Sequence, residues 1–409
     1  MDASRPRYTR AGGQKFITER RENKLLTKNG YAVAAVFVAM AAVGNQGAAA
    51  AAPKHQHPSG SNHRISVACN EAALVAAINS ANNDGGGTID LAARCNYVIT
   101  TNHGGAEDGL PAITSPVVIN GRDATIIRSS AAETQFRLIR VANTPNSFLS
   151  LNNTTIRNGS ANAGGGILND GRLETQNSTF YQNRATGDGG ALHNTGIASI
   201  RNTVFQQNLS GFFGGGIENA VSGTLTVRGG AISGNQAVGG GGGVTNFGTA
   251  DFTGTSISQN RAETGGGIFQ SSANAKLTMR SGAVTRNIAT GTAGGGIDNR
   301  DVTSTVQLIS TEVSYNHANG RGVGGGINTD GPLTLDRSRI VYNTATGAGG
   351  GIRTTNTANI TSTRITDNTA GNGGGIANEN GNVNLTRSIV TANTPNNCIP
   401  AGSVPNCVG

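Results

Sequence analysis

Runs of glycine closed by an aliphatic residue recur nine times along the chain: Gly164 to Ile167, Gly189 to Leu192, Gly214 to Ile217, Gly241 to Val244, Gly265 to Ile268, Gly294 to Ile297, Gly324 to Ile327, Gly349 to Ile352 and Gly373 to Ile376. Neighbouring copies lie 24 to 30 residues apart. Before each glycine run an aliphatic or Phe residue stands three positions ahead of an Asn, as in Phe180 with Asn183 and Ile257 with Asn260, except at the first, where Ile156 stands two positions ahead of Asn158. After it comes a short alternating segment such as Leu225-Thr226-Val227 or Leu333-Thr334-Leu335. Three short apolar segments per period cannot bury their own apolar faces, so successive periods must stack. The pattern predicts an all-β parallel solenoid with three short strands per coil. Equivalent strands would pair about 4.8 Å apart, so nine coils span roughly 40 Å.

Asn at equivalent turns of such a stack can hydrogen-bond from coil to coil. The expected ladder is Asn183, Asn208, Asn235, Asn260, Asn287, Asn316, Asn343, Asn368 and Asn393. A second runs Asn169, Asn194, Asn219, Asn246, Gln270, Asn299, Thr329, Thr354 and Asn378. Both are read as structural. Open solenoid ends need caps. Asn70 can cap a helix through about Asn83 with Leu74, Ala77, Ile78 and Ala81 on one face. The tail after Thr394 carries three prolines and two cysteines, which suits a small loop over the last coil.

The expected boundaries are a leader over 1–52, a flexible linker over 53–68, a cap with irregular first coils over 69–128, repeats over 129–397 and a C-terminal cap over 398–409. The leader holds eight basic and three acidic residues, then the apolar stretch Tyr31 to Val43 and the run Ala48 to Ala52. That order reads as a secretion signal, and its apolar part is short for a membrane span of about 20 residues. The protein is therefore expected to be secreted or at the cell surface, with no membrane insertion of the mature body.

Composition sharpens this picture. Charged residues make up 13%, there are 62 glycines and no Trp, and a helical bundle is excluded. Most of the net charge of +8 sits in the leader, and the remainder has only Lys54 and Lys276 with scattered arginines. No phosphate-binding groove is visible, so nucleic acid is not an expected partner. The four cysteines fall in two local pairs, Cys69 with Cys95 and Cys398 with Cys407. Three connectivities are open, of which the local one is simplest. His55, His57 and His63 read as incidental, and no metal or other cofactor is expected.

Candidate chemistry is sparse. Asn328-Thr329-Asp330-Gly331 resembles a strand motif of polygalacturonase-type hydrolases, but its partner motifs are missing, and Asn169-Asp170-Gly171 repeats it as a turn. The position after each glycine-run aliphatic is expected to point outward, giving the column Leu168, His193, Glu218, Thr245, Phe269, Asp298, Asn328, Arg353 and Ala377. Glu218 and Asp298 would stand roughly 14 Å apart, beyond the separation glycosidase pairs use. The regular Asp of calcium-binding β-rolls is absent, and outward Thr ladders suited to ice or crystal binding are not regular. A binding face is easier to find. The residue before each ladder Asn places Arg286, Tyr315 and Tyr342 on three consecutive coils, an aromatic step beside a cation; the alternative is a stacked pair with no ligand. Phe212 and Phe213 form an exposed apolar corner or fold back onto the coil.

The Gly-Gly-Gly-Ile and Phe-x-x-Asn repeats, the opening Cys69 to Ile78 and the close Asn393 to Cys398 resemble secreted bacterial right-handed parallel β-helix repeat proteins, including polymorphic outer membrane proteins. The resemblance covers about residues 69 to 409 and implies a right-handed coil, while the membrane-barrel segment of outer-membrane autotransporters is not found. It implies a surface protein of undefined activity. The function expected is non-enzymatic binding of extracellular or cell-wall polysaccharide or of a cell-surface glycan, or adhesion. The rival is a polysaccharide lyase or glycoside hydrolase with an atypical site. The sequence leaves the oligomeric state open.

Overall fold

A coil that climbs only about 4.8 Å per turn brings backbone against backbone at its corners, and the glycine triplets meet that constraint. In Gly265–Gly267 the first residue turns with φ +55°, and a Cβ on the third would lie 2.6 Å from the Gly296 carbonyl oxygen. In the computed structural model, which describes residues 63–407, these corners help build a parallel β-solenoid of about 12 turns. The expected leader, most of the linker and the last two residues lie outside the described residues. The end of the expected linker differs, because Arg64–Val67 is a strand paired with Gly87–Leu91.

The described strands form sheets of 23, 8 and 11 strands. All pair in parallel across successive coils, as Thr249–Thr253 does with Lys276–Arg280. One path serves for all: Thr249–Thr253, Ser256–Ser258, Arg261–Ala262 and Ile268–Gln270. Each regular coil thus contributes to three sheets, as the repeat predicts, and its part of the largest sheet is bent into two segments. The bend is a left-handed residue such as Asn202 or Ser310, followed by a buried Thr whose hydroxyl donates to the carbonyl two residues back, 2.9 Å at Thr203 and 3.0 Å at Thr311. The nine glycine-run aliphatics are fully buried, and Phe180 stacks on Phe205 at 4.5 Å inside the coil.

The interior Asn ladder runs from Asn183 to Asn393. The backbone N–H and Nδ2 of Asn235 donate to Asn260 Oδ1 at 2.9 and 3.0 Å. Asn260 Nδ2 in turn donates to the Ile232 carbonyl at 2.9 Å and to Asn287 Oδ1 at 3.0 Å. The second ladder continues from Asn169 through Gln270 to Thr329 and stops there, because the Thr329 hydroxyl donates to the Gly331 carbonyl. Its first acceptor, Asn169 Oδ1, is buried without a partner, since the preceding coil offers Val141 at that register.

At the N-terminus the helix Glu71–Asn83 lays Leu74, Ala77, Ile78 and Ala81 on the first coil, with Asn70 Oδ1 accepting from the Ala73 N–H at 2.8 Å. Cys69 is bonded to Cys95, and Cys398 to Cys407. Among the described residues no helix is long and apolar enough to cross a membrane.

Replacing Asn260 by Ala leaves the Asn235 N–H without an acceptor in the interior and takes one donor from the Ile232 carbonyl. At about 1–3 kcal/mol for an orphaned buried group, Asn260→Ala is expected to lower stability by about 1–3 kcal/mol in urea unfolding. Asn384→Ala, which removes an exposed amide pair with Asn359, is expected to change it by less than about 0.5 kcal/mol. Equal midpoints for the two variants would remove the ladder from the account.

Candidate functional site

The residue before each ladder Asn is the corner between two sheets, and the coil imposes left-handed backbone there. Gln182, Gln207, Gln259, Arg286, Tyr315, Tyr342 and Asp367 all have φ between 54° and 60°. Gly is the cheapest residue in that conformation, and Gly234 uses it. The side chain at this corner points to solvent while its Asn neighbour is buried. Register therefore brings Arg286, Tyr315 and Tyr342 together. The Tyr rings stack at 5.0 Å with 15° between planes, and the Arg286 guanidinium lies 5.6 Å from the Tyr315 centroid. Tyr315 is 51% exposed and Tyr342 45%. A left-handed side chain costs about 1–2 kcal/mol, and an aromatic stack returns about 0.5–1.5 kcal/mol. Two such corners cost more than one stack returns, so stability does not account for two tyrosines at these positions.

The column expected to face outward pairs in the register read from the sequence, but it is not an open face. Glu218, Thr245, Phe269, Asp298 and Asn328 are buried. The loop residues ahead of the glycine runs fold over this sheet and cover it, which short-range spacing does not reveal. His193 and Glu218 form an ion pair of 2.6 Å. Burial opposes charge on the imidazole, but the Glu218 carboxylate, with Asp188 and Asp170 farther off, outweighs it and holds the His193 pKa above its usual value.

Asp298 is the most enclosed carboxylate of the column. Arg300 Nε donates to it at 2.9 Å and Asn328 Nδ2 at 2.7 Å, and the Thr264 hydroxyl also donates to it. Burial nevertheless raises its pKa against these donors. Beyond Asn328, Arg353 bridges Asp330 at 2.6 Å and Glu379 at 2.5 Å. Asp330, the acid of the hydrolase-like fragment, is thus held in a surface ion-pair network. A further pair, Arg137 with Asp108 at 2.5 Å, had no signal in the sequence because it joins irregular coils 29 residues apart.

Two concave surfaces accompany these groups. A groove of about 390 Å³ crosses four coils on the outer face of the largest sheet, lined by Ser150, Asn152, Glu174, Gln176, Ser199 and Arg201. A cavity of about 230 Å³ lies where Phe212 and Phe213 meet Phe269 and Arg300. Among the described residues no group of three or more His, Cys, Asp or Glu could hold a metal ion. His63 hydrogen-bonds Asp84 at 2.8 Å, and His55 and His57 lie outside the described residues.

Fold and ladders define the class as a parallel β-solenoid. No family model matches the chain, and no curated protein matches it. Among solved structures it is similar to the A-module of the Azotobacter vinelandii mannuronan C-5 epimerase AlgE6, at 14% identity and a TM-score of 0.41, over 82% of this chain and 97% of that one.

A His pKa raised by folding contributes stability that is complete below the ordinary value of 6.5 and is lost as pH rises through the folded value. The melting temperature of the wild type relative to His193→Gln is therefore expected to fall as pH is taken from about 6 to about 8.5. A difference that stays constant across that range would show that the ion pair adds nothing.

Proposed function

We propose that this solenoid binds extracellular or cell-wall polysaccharide, or a cell-surface glycan, without turning it over, as an exported binding or adhesion module. The observation that carries this reading is the exposed Arg286–Tyr315–Tyr342 step. Two amphipathic rings and a guanidinium, set by backbone that cannot relax, offer a sugar an apolar ring face and charged donors together. A separate groove on the largest sheet, on coils nearer the N-terminus, runs along the coil axis, the direction a linear polymer would follow. Its walls carry hydroxyl, amide and ionic groups suited to sugar hydroxyls. The two disulfides suit an oxidising compartment.

Binding is favoured over turnover by the carboxylates themselves. Hydrolysis needs two accessible acids about 5–9.5 Å apart. Glu218 and Asp298 are buried, each is ion-paired, and they stand three coils from each other.

The full chain is expected to be retained by at least one member of a polysaccharide panel without releasing sugar. Tyr315→Ala and Tyr342→Ala should each weaken retention about fivefold, the equivalent of about 1 kcal/mol. Released reducing or unsaturated ends would overturn the non-enzymatic reading. Unchanged retention in both variants would move the glycan away from the tyrosine step.

A further inference from the structure

The aromatic cavity uses residues that the repeat does not require. The place of Phe212-Phe213 ahead of its glycine run reads Thr264 or Ala348 elsewhere, with no aromatic residue at any other copy. Phe213 folds back, stacking on Phe269 at 5.6 Å and meeting Phe247 edge-on at 5.3 Å. Phe212 stays 56% exposed, its ring edge-on to Phe213 at 4.5 Å. Gly240 makes room, since a Cβ there would lie 2.6 Å from the Phe269 ring. The opposite wall is Arg300, whose guanidinium sits 5.7 Å from the Phe269 centroid.

Arg300 is held rigidly. Nε donates to Asp298, and Nη2 donates to the Thr264 and Thr292 hydroxyls at 2.7 and 2.6 Å. Nη1 makes no hydrogen bond among the described residues. The cavity therefore combines apolar ring walls with one fixed cationic donor. An enclosed apolar cavity of about 150 Å³ takes up benzene, and this recess, open to solvent beside Phe212, has about 230 Å³, room for one ring and a short polar substituent. Asp298 offsets the charge of Arg300 and Glu263 lines the rim, so the open Nη1 donor rather than net charge selects the ligand, and a neutral hydrocarbon would leave that donor unanswered.

We propose that this cavity is a binding site for a monocyclic aromatic carboxylate, its ring against Phe212, Phe213 and Phe269 and its carboxylate on Arg300 Nη1. The site shares no residue with the tyrosine step and does not depend on glycan binding. Glu263 on the rim opposes an anion and sets a modest affinity. Asp298 acts as a positioning residue, fixing the plane of the guanidinium from beneath.

The test is calorimetric titration of the full chain with cinnamate, with benzyl alcohol as the neutral ring and acetate as the ringless acid. Removing Arg300 would strand Asp298 in the interior, so the variants are Phe212→Ala and Glu263→Gln, both on the exposed rim. Cinnamate is expected to saturate one site, with both controls at least about tenfold weaker, one hydrogen-bonded charge or one ring being worth about that factor. Phe212→Ala should weaken cinnamate about tenfold and Glu263→Gln should tighten it about threefold. Absence of saturable cinnamate binding, equal binding of benzyl alcohol, or indifference to Phe212→Ala would each overturn the proposal. Glycan retention by the same variants should be unchanged, which separates this site from the tyrosine step.

Discussion

The buried asparagine ladder is the interaction on which the rest of the solenoid depends. Each coil must turn sharply where the largest sheet ends, and the turn leaves a backbone N–H inside the body with no strand to pair with. The next Asn amide accepts that N–H together with the side-chain amide beside it. An unsatisfied buried group would cost about 1–3 kcal/mol per coil, and nine such losses, about 9–27 kcal/mol, are as large as the whole stability of an ordinary domain, about 5–15 kcal/mol. Once the amide occupies the corner, its surroundings have little freedom. The aliphatic three residues earlier faces inward, the residue before the Asn turns left-handed, and the glycine run has room for at most the methyl of Ala191 because ladder amides and neighbouring carbonyls fill the space.

That rigidity separates positions that can vary from those that cannot. The corner residue projects outward whatever it is, so Gln, Arg, Tyr and Asp are all accommodated on one backbone. A functional group placed there is aligned with those above and below at the coil spacing, with no local design. The Arg286–Tyr315–Tyr342 step needs only the right residues on three consecutive coils. Side chains held on such a scaffold lose little further freedom on binding, which favours affinity from few contacts.

The outer face of the glycine-run sheet follows a different logic. Its column is covered by the loops that join the sheets, and their lengths vary among coils. Polar residues there answer each other across coils, from Arg300 through Asp298 and Asn328 to Arg353. Where a loop carries Phe212 and Phe213, the cover is apolar and leaves a cavity beside the network. Variation in loop chemistry over a constant sheet thus produces the most distinctive local environment of the described chain.

The sequence alone determined the parallel solenoid, its period, the inward aliphatics and the ladder asparagines, because each repeats under a constraint that one coil imposes on the next, and the capping helix, because Asn70 and the spacing of Leu74, Ala77, Ile78 and Ala81 are local signals. The coincidence of Arg286, Tyr315 and Tyr342 was legible for the same reason, since equal position in the period means adjacency in space. Three matters waited for the tertiary structure. The bend of the largest sheet rests on single left-handed residues, such as Asn202, Ser310 and Arg337, whose type changes along the stack. The burial of Glu218 and Asp298 depends on loops of unequal length folding over them. The partnership of Phe212 and Phe213 with Phe269 and Arg300 joins residues from different loops and coils. Periodicity reports contacts between equivalent positions, whereas these arise between positions that are not equivalent, and only the folded path of the chain decides them.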